Sequence, residues 1–216
     1  MYNKHRYSFD LSSGVWAVCF SLALLMLSAP VKAQEEYYAS GELRAVGKLE
    51  GGEKNGKWTY YYPNGEVNAI EHYNKGRLHG SVKYFDNQGN ITGIENWTKG
   101  LPQDSAKYFY GNGKIEKEGV YELGQYSGVW KHYHENGQLK RAVNYVNGWP
   151  HGEWKVYNEK GVLIQEGSYD QGQETGEWKF YTGEGRLEYI GSYDQGQRVG
   201  NWYMLDKKGK KKEINY

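Results

Sequence analysis

Gly152-Glu153-Trp154-Lys155-Val156-Tyr157, continued by Gly161, Leu163, Tyr169 and Gly172 and closed by Gly176, is the stretch that decides the fold. Read outward from it, the chain repeats itself every 24 residues. Position 1 falls at Gly56, Gly80, Asp104, Gly128, Gly152, Gly176 and Gly200. Two residues on stand Trp58, Val82, Ala106, Trp130, Trp154, Trp178 and Trp202, and three further Tyr61, Phe85, Phe109, Tyr133, Tyr157, Tyr181 and Leu205. A glycine column runs from Gly65 to Gly209 and an aliphatic column from Val67 to Leu187, broken at Lys211. An aromatic then recurs from Tyr73 to Tyr193, with a glycine three residues after each, from Gly76 to Gly196. Tyr37, Gly41, Leu43, Leu49 and Gly52 fit the same phase, so no insertion or deletion interrupts the pattern from Tyr37 to Gly209. A period of this length held so strictly marks a repeat architecture.

Each unit reads as a β-hairpin. Its two apolar segments are short and rich in aromatic or β-branched residues, as strands prefer. Between them lie turn sequences such as Pro63-Asn64-Gly65 and Asn136-Gly137, where glycine supplies positive φ without steric cost. Asn74-Lys75-Gly76 and Asp170-Gln171-Gly172 are turn chemistry of the second kind. No sustained 3.6-residue apolar period follows residue 33, so helices are not expected there. Short connections imply an antiparallel meander, with equivalent residues about 10 Å apart along it. A single hairpin is unstable alone, so each unit leans on its neighbours and the ends act as caps. The expected class is all-β: an elongated, twisted, single-layer meander sheet of repeated hairpins, preceded by a helical signal peptide.

The first 33 residues are set apart from this pattern. A basic start (Lys4, His5, Arg6), an apolar run over residues 14–27, and Pro30-Val31-Lys32-Ala33 predict an export signal cleaved between Ala33 and Gln34. The run is shorter than the about 20 apolar residues that a bilayer core requires, which disfavours a retained anchor. Contact with membrane is therefore expected only through this segment before cleavage. The expected division is 1–33 signal, 34–55 partial repeat and cap, 56–199 six repeats, and 200–216 partial repeat and cap. The single cysteine, Cys19, would leave with the signal, so neither a disulfide framework nor a cysteine metal site is expected. Removing Lys4, Arg6, Lys32 and Asp10 moves the formal net charge from +1 to −1. That balance argues against a nucleic-acid partner. With 8 Trp, 22 Tyr and 5 Phe in the whole chain, disorder is equally disfavoured.

The pattern Gly-x-Trp-x-x-Tyr-x-x-x-Gly-x-Leu, followed by Tyr-x-x-Gly-x-x-x-Gly, resembles the MORN repeat in the variant form common among bacterial proteins. The segment from Gly152 to Gly176 is its cleanest copy. The units at Gly80 and Asp104 depart most, with Val82 and Ala106 in place of tryptophan, and looser packing is expected there. The resemblance implies a single-layer sheet and a binding or scaffolding role. It implies likeness to the antitoxin component of toxin–antitoxin pairs among bacterial variants, and membrane attachment and assembly among eukaryotic relatives. The motif residues are those that build the sheet, so the resemblance specifies no partner.

Candidate chemistry is sparse. No Gly-x-Ser-x-Gly, His-Glu-x-x-His or P-loop motif occurs, and no enzyme, cofactor or metal is expected. His132 and His134 stand two apart, but a zinc site needs three or four ligands. Pairs such as Glu116 with Glu118 are ordinary for solvated faces. The strongest lead is a lysine column, Lys83, Lys107, Lys131, Lys155 and Lys179, with Phe85, Phe109, Tyr133, Tyr157 and Tyr181 on the same face. The candidate binding residues are thus Lys107, Lys131, Lys155, Lys179, Tyr133, Tyr157 and Tyr181. Such a column could meet an acidic partner surface, or each lysine could simply lay its stem over the neighbouring rings. The expected function is an exported, non-enzymatic module that binds another protein or acts as a scaffold, in the periplasm, on the envelope or outside the cell, with an antitoxin-like role as one form. The alternative is a cell-wall or glycan-binding protein that uses its aromatic columns.

Overall fold

A computed structural model describes residues 31–215. The described chain forms one antiparallel sheet of 18 strands with no helix. It opens with β1 (Val31–Tyr37), β2 (Leu43–Glu50), β3 (Glu53–Tyr61) and β4 (Val67–Asn74). The next two units are β5 (Arg77–Leu78), β6 (Gly80–Phe85) and β7 (Ile91–Thr98), then β8 (Leu101–Pro102), β9 (Asp104–Phe109) and β10 (Ile115–Glu122). Three regular units follow: β11 (Gln125–Tyr133) with β12 (Leu139–Val146), β13 (Trp149–Tyr157) with β14 (Leu163–Asp170), and β15 (Gln173–Tyr181) with β16 (Leu187–Asp194). β17 (Gln197–Leu205) and β18 (Lys211–Ile214) complete the array. Pairing runs between chain neighbours throughout, which is the meander that the short turns require. The expected signal helix lies outside the described residues. Val31–Ala33 already belong to β1, opposite Glu50, Leu49 and Lys48, so scission after Ala33 would divide that strand.

Two turn types alternate. At one edge Gly65 N–H donates to the Tyr62 carbonyl at 2.9 Å, and Tyr62 N–H to the Glu66 carbonyl at 2.8 Å. This pair of bonds recurs in every unit from Tyr38 to Asp206, closing three-residue loops around a positive-φ glycine. Side chains tie these loops together along the edge. Tyr62 Oη donates to the Phe85 carbonyl and Tyr110 Oη to the Tyr133 carbonyl, at 2.9 and 2.7 Å. At the opposite edge lie two-residue turns such as Lys75-Gly76, with φ of 49° and 73°. There the Gly76 N–H reaches back to the Lys54 carbonyl at 2.9 Å, and the same bond recurs through Gly196. Both edges are therefore hydrogen-bonded from unit to unit as well as within each strand ladder.

The strand carrying each tryptophan starts three residues before its Gly-x-Trp motif and bends within it. Gly56, at φ 66°, sits in this bend, where the register with β2 jumps between Val46 and Lys48. The bend brings the residue four before each tryptophan over the indole. Lys54 Nζ lies 4.1 Å from the Trp58 ring centroid, and the Tyr126 ring centroid lies 4.1 Å from that of Trp130. The register jump also frees carbonyls of Lys48, Val120 and Ser192, which accept from Nε1 of Trp58, Trp130 and Trp202 at 3.1, 2.9 and 3.2 Å. A single-layer sheet thus buries Trp58, Trp130, Trp178 and Trp202 almost completely on one face, together with Ala45, Ala69 and Val82.

What lies beneath each indole is the preceding strand's backbone. A Cβ placed on Gly47, Gly119, Gly167 or Gly191 would come within 2.1–2.3 Å of the Trp58, Trp130, Trp178 or Trp202 ring. Where tryptophan is missing the glycine is missing as well: Glu71 takes its place before Val82, and Glu95 before Ala106. Glu95 is only 8% exposed. It accepts from Tyr84 Oη at 3.1 Å, from Trp97 Nε1 at 2.8 Å and from Tyr108 Oη. The volume vacated by two indoles is filled by carboxylates held in tyrosine hydrogen bonds. Val82 and Ala106 stay buried, and the irregularity is confined to the strand, which breaks at His79 and Gln103.

The Gly152 unit, the cleanest copy by motif, is the least well packed of those that keep tryptophan. Val143, 1% exposed, stands opposite Trp154 where the other tryptophan-bearing units have glycine. Trp154 is consequently only half-buried, and its Nε1 is buried without a partner. Trp130→Ala is expected to cost about 3–5 kcal/mol, in the range for removing a core aromatic, and Trp154→Ala distinctly less. Denaturant melts of the two variants check the order, and equal losses would contradict it.

Candidate functional site

The lysine column lies on the face opposite the tryptophans, as its alternation requires. The sheet interleaves it with residues from the other strand of each unit. Lys107 and Lys131 flank Glu118, and Lys155 and Lys179 flank Glu166. Lys107 Nζ is 3.3 Å from Glu118, and Lys179 Nζ is 3.7 Å from Glu166 and 2.9 Å from Glu177. Lys155 pairs with Glu153 at 3.0 Å. Tyr133 and Tyr181 donate to Glu118 and Glu166 at 2.9 and 2.5 Å. Burial, reinforced by these carboxylates, pushes both phenols up to about 12. The hydrogen bond from Tyr133, with Lys107 and Lys131 nearby, holds the Glu118 carboxyl below the usual range. The Tyr157 carbonyl accepts from His134 Nε2 at 2.8 Å, as the Tyr133 carbonyl does from Tyr110 Oη. Glu118 and Glu166 thus offset part of the column's positive charge, while Lys83 lies between Ile70 and Ile94, and Lys131 has Ala142 on its other side. Spacing along the tryptophan-bearing strand made the lysines visible, whereas Glu118 and Glu166 belong to a column one strand over, read at Ile70, Ile94, Ala142 and Ile190 as well.

The tryptophan face changes character along the array. Near its start, tyrosine hydroxyls and carboxylates are linked: Lys54 Nζ donates to Tyr60 Oη at 2.8 Å, Tyr60 and Tyr73 share a bond of 3.0 Å, and Tyr73 donates to Glu71 at 2.5 Å. Further along, the Tyr60, Tyr84, Tyr108 column gives way to Val156, Phe180 and Met204, which carry no hydroxyl. There a groove of about 620 Å³ opens, lined by Ile164, Phe180, Tyr189, Trp202 and Ile214, with Gln165, Glu188 and Arg198 among its polar groups. The Arg198 guanidinium lies 4.5 Å above the Trp202 ring. Such a volume falls within the range of ligand-binding clefts. Sequence reading missed it because the signal is a loss of hydroxyls in one column, visible only once the strands are placed side by side.

His132 and His134 do not converge. His132 packs on the tryptophan face with its Nε2 buried and unpartnered, while His134 belongs to a turn and bonds to Tyr157. Burial, with Arg141, Lys117 and Lys140 adding to it, holds the His132 imidazole down at about 4. Among the described residues no three His, Cys, Asp or Glu side chains are grouped to hold a metal ion. None of the described residues forms a helix long and apolar enough to cross a membrane.

Comparison with known families finds the same repeat. Four segments match the MORN repeat variant: residues 54–75, 105–122, 126–147 and 150–171. The matched MORN-variant segments include the one that carries Ala106 in place of tryptophan, and the remaining units keep the same strand phase. No curated protein matches the sequence. Among solved structures, 83% of the chain overlays 12% of a chain in the Photorhabdus luminescens Tc holotoxin pore, with 13% identity and a TM-score of 0.23. A TcdB2-TccC3-Cdc42 structure overlays 80% of this chain with 13% of its own, at 14% identity and a TM-score of 0.19. A porin-like protein from Bacteroides uniformis overlays 87% of this chain with 96% of its own, at 8% identity and a TM-score of 0.21. The chain spans only about an eighth of the two toxin chains, and overlaps this loose say nothing of what it binds.

Two outcomes follow from this geometry. Lys131→Ala is expected to change stability by no more than about 0.5 kcal/mol, whereas Glu118→Ala, which strips Tyr133 and Lys107 of a shared acceptor, should cost about 1 kcal/mol or more; urea melts decide. Because the folded protein keeps His132 neutral down to about 4, the unfolded chain binds the proton first as pH falls through its ordinary value near 6.5. The stability associated with His132 is therefore complete above that value and is lost between about 6.5 and 4. Melting temperature recorded across this window should fall for the native protein and fall less steeply for His132→Gln.

Proposed function

We propose that the chain is an exported, non-enzymatic MORN-variant scaffold that binds another protein, and that its partner seats in the groove on the tryptophan face. The observation that carries this reading is the change of that face from a hydrogen-bonded tyrosine–carboxylate lattice to an open apolar groove at Ile164, Phe180 and Ile214. On the lysine face, by contrast, Lys107, Lys155 and Lys179 are already paired with carboxylates. A cleft with an apolar floor and a few polar groups on its walls suits a protruding apolar side chain or short segment of a partner. Export is supported by the basic, apolar and small-residue succession of the first 33 residues. An antitoxin-like role is the narrower form of this reading; its mark would be a stoichiometric complex that silences a toxic activity of the captured protein.

A specific feature also favours a glycan ligand. Tyr189 stands in the groove beside Asn158, Gln165 and Glu188, the mixture of ring and hydrogen-bonding groups that sugars require.

The test compares Ile164→Glu with the pair Lys131→Glu and Lys155→Glu in capture from the organism's own envelope extract. Ile164→Glu should lose the partner while melting as the native protein does, and the lysine variants should retain it. The reverse pattern would move binding to the opposite face. Retention on isolated cell wall, lost in Tyr189→Ala, would favour the glycan.

A further inference from the structure

The edge of two-residue turns carries a pattern that neither the repeat nor the groove needs. Seven such turns follow one another, from Gly51-Gly52 to Gln195-Gly196. The second and third are basic, with Lys75, Arg77 and Lys99. The fourth carries Leu123 beside the exposed Glu122, and the fifth is apolar, with Val146 and Trp149. The sixth and seventh are acidic, with Asp170 and Asp194. All of these residues are exposed, Leu123 by 74% and Trp149 by 62%. At the equivalent positions of the other units only Leu101, beside the third turn, carries a large apolar side chain, so the strip of Leu101, Leu123, Val146 and Trp149 is not a property of the repeat.

Leu123 is the sharper anomaly. It sits at φ 50° in a turn that prefers asparagine, aspartate or glycine, a strain it shares with Lys75, Lys99, Gln171 and Gln195, and it alone adds a large apolar side chain left in water. Burial compensates none of that strain in the single chain. Leu101 belongs to the same strip: its Cδ2 would be 3.6 Å from a Cβ added to Gly124.

We propose that this edge is the interface of a homodimer, in which two copies meet edge to edge in antiparallel fashion about a two-fold axis lying between the fourth and fifth turns. Such an axis requires a self-complementary surface, and the order of residues supplies one. The fourth turn of one copy faces the fifth of the other, placing Leu123 against Val146 and Trp149. The third faces the sixth, placing Lys99 against Asp170, and the second faces the seventh, placing Lys75 and Arg77 against Asp194. In the single chain Asp170 has only the His151 imidazole, at 3.2 Å, as an ion-pair neighbour. A parallel arrangement would set like charges opposite each other, so the pattern selects orientation as well as partner. The third to sixth turns span three repeat steps, about 30 Å, and a strip of that length fits a modest, reversible interface.

Sedimentation velocity over a concentration series tests the pairing, with thermal melts in parallel. The native protein should be a reversible dimer. Leu123→Asn should weaken it at least about tenfold, the equivalent of one small buried apolar contact, with no loss in melting temperature, because asparagine suits the turn. Lys75→Glu with Lys99→Glu should give a monomer, and adding Asp170→Lys with Asp194→Lys should restore the dimer. A native protein that is monomeric on the order of 100 μM, a dimer indifferent to Leu123→Asn, or a charge exchange without rescue would each overturn the proposal. So would a monomer that uses the same residues to bind anionic vesicles. Partner capture through the groove is measured separately with Ile164→Glu, so failure of one reading leaves the other standing.

Discussion

An indole lying flat on a glycine of the neighbouring strand is the contact on which the rest of the structure depends. A sheet one layer thick has no second layer to cover its apolar face. Here the covering comes from within: glycine lets the ring sink to the backbone, and the bend two residues before the tryptophan brings another side chain over the top. In the units of Trp58, Trp130 and Trp202 the indole is enclosed above and below and its Nε1 bonds to a carbonyl that the same bend has released, whereas Trp178 donates to the Thr175 carbonyl of its own strand. Burial of a large aromatic contributes on the order of 2–3 kcal/mol, and four units keep the ring on its glycine floor. A strand pair that is unstable alone becomes stable in series because each ring belongs to one unit and its floor to the one before.

The departures obey the same steric rule. Loss of tryptophan at Val82 and Ala106 would leave a void over glycine, and voids in packed protein are costly. Glu71 and Glu95 fill that space, and the tyrosines of adjacent strands supply the donors that a buried carboxylate demands. Trp154 shows the opposite failure. Its floor is occupied by Val143, so the ring is displaced outward and its N–H loses an acceptor. Ring and floor are thus one structural unit divided between two segments, and neither can be judged alone.

That division explains what could and could not be seen in the sequence. Columns of tryptophan, tyrosine and turn glycine are regular along the chain, so the hairpins, the turn positions and the single antiparallel sheet were legible from spacing. The lysines were correctly set on the face away from the tryptophans for the same reason. Floor residues such as Gly47 and Gly119 stand 11 residues before their tryptophans, and their meaning emerges only from the register of neighbouring strands. Glu118 and Glu166 escaped notice likewise, so a column that looked purely cationic along one strand proved partly offset by the next. The Gly152 segment satisfied the motif most fully and still packed poorly, because the motif does not include the floor.

In a repeat of this kind, residues that build the sheet recur, and those that recur can say little about a partner. The informative positions are those at which a column changes without a structural reason. Glu95 fails that criterion, since the missing indole accounts for it. Phe180 and Ile164 meet it, because tyrosine and polar residues hold the equivalent places where no groove forms. Leu123 meets it most fully: it is apolar, exposed, and held at a backbone angle that disfavours it, while lysine, asparagine and glutamine serve the same turn in other units. A residue that is costly both to solvation and to local conformation is best understood through a surface that only an assembled state would cover.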